Sequence, residues 1–205
     1  MHRNKEYTAN YGKDDQMEMT NLKEAVSKLN DLKKDAQETM KKGLPFVLAS
    51  VVIWMLIFAV QFLSDDIRML NLCTFFCCCL LMPLAIVFAK VVKADIFRKK
   101  VNPFCGLALL STLNQFLYLL IVMWAFSQKP DAMLMIYAMV FGAHLLPFGW
   151  IYDSKAYTVI SIAETVGALV INQLAGNAAT AGFIIAGEII LSALLYKDCF
   201  SGSKT

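Results

Sequence analysis

The stretch AYTVISIAETVGALVINQLAG (156–176), followed by NAATAGFIIAGEIILSALLY (177–196), decides the fold. Each half is about the length of a membrane span, roughly 20 apolar residues. Each carries one carboxylate deep inside, Glu164 and Glu188, and each carboxylate lies 12 residues from Gly176. With Gly176 at the tip of a helical hairpin, both reach the same depth, about 18 Å from the tip at 1.5 Å per residue. Ionisable groups are costly in lipid and face a protein interior or a wet cavity.

Working outward, the same apolar density recurs. The chain has 205 residues, 58% hydrophobic and 17% charged, which is the composition of a membrane protein. The predicted class is all-α: six transmembrane helices over about 44–63, 67–92, 104–126, 131–150, 156–175 and 177–196, forming one domain from 44 to 196. Pro83 should kink the second span, Pro103 opens the third, and Pro147 lies near the end of the fourth. A charged arm (1–43) precedes the bundle and a short polar tail (197–205) follows it. No short apolar segment with a small-residue cleavage site stands at the start, so the first span reads as a retained signal anchor.

Six spans place both termini on one side. With the N-terminus inside, 17 of the 19 Lys and Arg fall on cytoplasmic segments and only Arg68 and Lys129 fall outside. Cytoplasmic loops are enriched in Lys and Arg, so the expectation is N-in/C-in in the cell membrane.

In the arm, residues 1–13 read as loosely attached and about 14–42 as an amphipathic helix. Leu22, Ala25, Leu29, Leu32 and Ala36 repeat at spacings of 3, 4, 3 and 4, a heptad seam. The seam is short and partly alanine, which suits a helix lying on the membrane or on its own bundle. The alternative is self-association, or docking of a partner helix, through residues 22–36. Gly43 can end this helix and Pro45 can start the next.

Orientation brings a polar layer into view. Glu164, Glu188, His144, Asn114 and Gln115 all fall in one slab on the inner side of the midplane. Ser111, Asn114 and Tyr118 share one face of span 3, with Gln115 beside them. Tyr137 and His144 share a face of span 4, Tyr157, Ser161 and Glu164 one of span 5, and Glu188 and Ser192 one of span 6. Faces of this kind imply a polar pocket open to the cytoplasm. Span 6 also carries Ala178, Gly182 and Ala186, a stripe of small residues that allows close helix contact.

Two carboxylates close together in low dielectric cannot both ionise cheaply. A proton held between them suits a carrier in which a carboxylate alternately binds a proton or a cationic solute. His144 would relay the proton and the tyrosines would stack on an organic ligand. Deep polar groups also serve as plain interhelical hydrogen bonds, and the sequence leaves that reading open. One buried histidine is too few for a haem or di-metal centre, so neither metal nor cofactor is expected. No serine stands in a nucleophile elbow, and no glycine-rich phosphate loop or basic nucleic-acid surface is present. Cysteines 73, 77, 78, 79, 105 and 199 lack zinc-site spacing and read as small packing residues.

The segment GAHLLPFGWIYDSKAY (142–157), with the span layout, resembles an uncharacterised family of small multi-span bacterial membrane proteins. The resemblance implies no activity. The residues themselves point first to a proton-linked carrier or channel for a small polar or cationic solute. A non-catalytic protein that recruits a partner through its N-terminal helix is the second reading. An intramembrane enzyme acting on a lipid is the third.

Overall fold

The computed structural model describes residues 3–96 and 102–200, with side chains from Gln16 onward. Arg98, Lys99, Lys100 and Lys204, four of the predicted inside charges, lie outside the described residues, as do His2 and residues 201–205 of the tail. Among the described residues the regular elements are all helical: α1 (Arg3–Met40), α2 (Leu44–Val60), α3 (Ile67–Cys78), α4 (Leu81–Val92), α5 (Pro103–Gln128), α6 (Met133–His144), α7 (Leu146–Ile151) and α8 (Lys155–Phe200). Short 3-10 turns, Lys41–Gly43 and Pro130–Ala132, precede α2 and α6. Five helical stretches are long and apolar enough to cross a membrane: Gln16–Val60, Ile67–Val92, Pro103–Gln128, Pro130–Ile151 and Lys155–Phe200. They mark the chain as a membrane protein.

Proline and asparagine set most boundaries. Span 2 breaks as Pro83 predicts. The break falls at Cys79–Leu80 because the proline ring clashes with the carbonyl four residues back. Pro147 likewise separates α6 from α7. Asp66 caps α3 by accepting from the Arg68 N–H at 2.9 Å, and Asn102 caps α5 through the Phe104 N–H at 2.9 Å. Three successive positive φ values, 49° at Lys41, 50° at Lys42 and 75° at Gly43, turn the chain from α1 into α2. A side chain at Gly43 would also meet the Tyr157 hydroxyl at 3.0 Å. Several bounds differ from expectation, among them the end of α2, at Val60 rather than 63. The first helix starts at Arg3 rather than near 14, and the last runs to Phe200 rather than 196.

The decisive element is α8. It is helical apart from Gly176, where φ is 79° and ψ −171°. In one straight helix, residues 164 and 187 would stand about 35 Å apart at 1.5 Å per residue. Instead a Cβ at Gly187 would fall 3.2 Å from the Glu164 Cδ, and one at Gly167 would overlap the Phe183 ring. The chain therefore doubles back at Gly176, and Asn172 bridges the tip to Asn177 (2.8 Å) and Thr180 (3.2 Å).

α8 packs on α6 and α2 and forms the centre of the bundle with them. Trp54 of α2 is fully buried, stacked on Tyr137 of α6 at 5.2 Å and edge-on to Phe141 at 5.3 Å. The last turns of α1 are fastened to this core, with Ala36 and Met40 buried. The Asn102 amide donates to the Leu32 carbonyl and to Asp35, the Lys33 ammonium stands 4.3 Å over the Trp150 ring, and Tyr157 donates to the Lys42 carbonyl at 2.8 Å. Farther out, Leu22, Leu29 and Leu32 remain exposed, so the N-terminal part of the seam packs on nothing in the described chain.

Candidate functional site

The apolar period of α8 points one face of each half inward. Tyr157, Ser161, Glu164 and Ala168 are buried on the first half, and Ala181, Glu188 and Ser192 on the second. Glu188 is 0% exposed and Glu164 is 1% exposed. Burial of a charged group without partners is expensive, so the partners of each carboxyl matter.

Glu188 meets α2. The Ser50 hydroxyl contacts Glu188 Oε2 and also lies 2.7 Å from the Val47 carbonyl. A hydroxyl has one proton, and a carbonyl can only accept. When Ser50 donates to Val47, Glu188 must hold a proton and donate it to Ser50. When Glu188 is ionised, Ser50 turns its proton to the carboxylate. The pair therefore has two self-consistent hydrogen-bonding states that differ by one proton. Glu188 Oε1 has no hydrogen-bond partner among the described residues, and neither does either oxygen of Glu164. No Lys or Arg in the described chain forms an ion pair with either carboxyl.

Glycines make the room for Glu164. Its side chain lies against Gly187, the residue next to Glu188, and against Gly142 of α6, where an added Cβ would stand 2.9 Å from the Glu164 Cβ. Glu164 is thus packed between two helices, whereas Glu188 lies on the wall of a cleft.

That cleft spans about 490 Å³ of non-atom space, part of it open to its surroundings. About 40 Å³ of it can hold the centre of a water molecule, room for roughly three waters. Glu188, Ser50, Thr112, Gln115 and His144 supply its polar atoms, and Phe141, Phe148, Tyr152 and Tyr157 its aromatic wall. Ser50, Gln115 and Phe141 are shared with a second cleft of about 420 Å³ lined by Trp54, Tyr137 and Cys78. The His144 Nδ1 contacts the Phe141 carbonyl. Because that carbonyl only accepts, Nδ1 carries the proton, and in the neutral ring Nε2 is left as an acceptor. Tyr137 accepts from the Cys78 thiol at 3.1 Å. Burial raises the ionisation point of the Tyr152 phenol, at the end of α7.

Not every predicted residue joins the cleft. Glu188, His144, Gln115 and Tyr157 line it, and Tyr137 lines its neighbour. Asn114 is exposed and lies with Ser111 in a shallow outward groove beside Leu110, Leu113 and Leu117, and Tyr118 is half-buried away from the cleft. The inward face of α5 is instead Thr112 and Gln115. Ser161 and Ser192 are buried on α8 outside the cleft wall, and the Ser192 hydroxyl has no hydrogen-bond partner among the described residues. Ser50 and Thr112 escaped the sequence reading. The signal for Ser50 was present: it is the one hydroxyl inside the apolar run 44–60, one turn before Trp54. Among the described residues no group of three His, Cys, Asp or Glu is placed to hold a metal ion.

A family of unknown function, DUF7010, matches residues 29–198. No curated protein and no solved structure matches the chain. The matched region starts in the part of α1 that leads to its docked turns and takes in every helix that builds the cleft, both glutamates, and the segment 142–157 whose resemblance pointed to an uncharacterised family. The chain belongs to the DUF7010 family.

Proposed function

We propose that the protein crosses the cell membrane six times with both termini cytoplasmic, and that it is a proton-linked carrier or channel for a small polar or cationic solute. The six-pass reading is supported by the reversal at Gly176. The two halves of α8, 155–175 and 177–200, are about 31 and 36 Å long at 1.5 Å per residue, enough to cross a hydrocarbon core of about 30 Å each. The Lys and Arg distribution supports the orientation.

The observation that carries the functional reading is the pair of buried carboxyls without a cation, one of them on the wall of a cleft beside a serine that suits either protonation state. Intramembrane carboxyls of this kind mark ion and proton paths. Glu188 is the exchanging group, with Ser50 following its proton. Gln115 and His144 line the path, and Glu164 stands close behind, where its own charge acts on Glu188 through space. The test is uptake of a panel of small polar and cationic solutes into proteoliposomes under an imposed proton gradient. Gradient-driven uptake that is lost in Glu188→Gln and Glu164→Gln, with both variants folded, is expected. Uptake unchanged in both variants would refute the role of the carboxyls.

A second reading has its own support. The exposed Leu22, Val26 and Leu29 of α1 form an unfilled apolar face suited to a membrane surface or a partner helix.

A further inference from the structure

We propose that the cleft beside Glu188 binds a monovalent organic cation, a substituted ammonium with apolar groups, in exchange for the Glu188 proton. The inference deepens the carrier reading and rests on it, since it names the solute class for the same carboxyl.

Charge comes first. Glu188 lines the cleft, and its Oε1 is buried with no partner among the described residues. The titratable groups near it are Glu164 and Tyr157 of α8, His144 and Tyr137 of α6, Tyr152 at the end of α7, and Cys78 of α3, while α2 contributes the hydroxyl of Ser50. None of these is a fixed cation, so an anionic solute would meet only like charge. A metal cation is equally ill served. Calcium takes six to eight oxygens and magnesium a near-ideal octahedron, whereas this cleft offers one carboxylate, one amide and two hydroxyls beside its phenols.

The walls then choose among organic cations. Phe148 stands 5.8 Å from both Tyr152 and Tyr157, and those two are 5.9 Å apart, so three rings form one cluster on the cleft wall. Phe141 and the imidazole of His144 extend it, with centroids at 5.2 Å. Ring faces attract a cation within about 6 Å, most strongly when it is desolvated, and quaternary ammonium groups are the cations that shed water most readily. A primary ammonium needs three acceptors. Ring faces satisfy a methylated or arylated one without them.

The exchange balances. Protonated Glu188 plus the cation gives the carboxylate–cation pair plus one proton released to water. One positive charge replaces another, so no net charge is added to the buried site and the desolvation cost of an isolated ion is avoided. Ser50 turns its hydroxyl from Val47 to the carboxylate in the same step. By linkage, binding weakens as pH falls, approaching tenfold per pH unit while one proton is displaced per cation bound.

The experiment uses the full chain in nanodiscs with tetramethylammonium, a compact cation suited to the small space in the cleft, and its uncharged isostere of the same shape, tert-butanol. Calorimetry reads binding and a pH indicator in weak buffer reads proton release. Expected are saturable cation binding with proton release, at least tenfold weaker binding of the isostere, and at least tenfold weaker cation binding in Glu188→Gln. Tyr152→Leu should weaken the cation several-fold and leave the infrared band of the Glu188 carboxyl in place, which separates loss of the wall from loss of the fold. Equal binding of the isostere, cation binding without proton release, unchanged binding in Glu188→Gln, or no binding of either compound would overturn the proposal. If that carboxyl band titrates with bulk pH while the cation does not bind, this inference fails and the carrier reading stands. If the band does not titrate either, both fail.

Discussion

Gly187→Ala is a direct probe of the doubled-back α8. The new methyl would sit 3.2 Å from both Cγ and Cδ of Glu164 and closer still to Oε1. Gly142 of α6 lies against the Glu164 Cβ, which confines the stem of the side chain that would have to swing away. Overpacking of this kind costs about 1–3 kcal/mol. In a Glu164→Ala background the obstacle is gone. There the substitution should turn favourable by about 0.5–1 kcal/mol, the ordinary gain of alanine over glycine within a helix. The two backgrounds should therefore differ by about 1.5–4 kcal/mol, the signature of residues in contact. Reversible unfolding in mixed micelles, with all four proteins of the cycle, measures it. An equal cost in both backgrounds, within about 0.5 kcal/mol, would mean that residues 164 and 187 do not meet, and the hairpin register would be wrong.

Three further outcomes follow from the same geometry. Gly176→Ala forces a residue with a side chain into φ 79°, ψ −171°, a region left almost wholly to glycine, and should cost about 1–3 kcal/mol, whereas Gly106→Ala, with open space around it, should be neutral or slightly stabilising in the same assay. Ser50→Ala leaves Glu188 without its one hydrogen-bond partner and should cost about 1–3 kcal/mol, while Asn114→Ala on the outer face should stay within about 0.5 kcal/mol. Asn102→Ala removes the cap of α5 and the tie to Leu32 and Asp35. It should cost about 1–2 kcal/mol and speed backbone hydrogen exchange in the last turns of α1.

What the sequence made legible was what rests on period and charge. The apolar runs and the equal spacing of Glu164 and Glu188 about Gly176 led to a hairpin, and the inward faces of α8 followed from the helical repeat. The face of α5 did not. Ser111, Asn114 and Gln115 all looked pocket-facing because they are polar and close in register, yet of these the helix turns only Gln115 inward, together with Thr112. A span with polar atoms on two sides carries no periodic signal to say which side packs. Ser50 was overlooked for a related reason: a single hydroxyl adds little to a hydropathy pattern, and its importance comes from a contact with a residue 138 positions away. The seam of α1 allowed packing on the bundle or on the membrane; that only its last turns dock, through Ala36 and Met40 with Asn102 reaching across, was not visible in the repeat. Pro83 marked the kink in span 2, and steric conflict with the preceding turn moved the break to Cys79–Leu80.

The central claim is that Glu188 exchanges its proton with water through the cleft. Infrared titration of the carboxyl stretching band in nanodiscs tests it most directly, with Glu188→Gln and Glu164→Gln as controls. In a titration run from about pH 5 to 9, the carboxyl band should change reversibly with bulk pH, be absent in Glu188→Gln, and be displaced in Glu164→Gln because the two carboxyls lie close enough to feel each other's charge. A band that stays unchanged over that whole range in the wild type would mean two sealed structural hydrogen-bond donors and would contradict it.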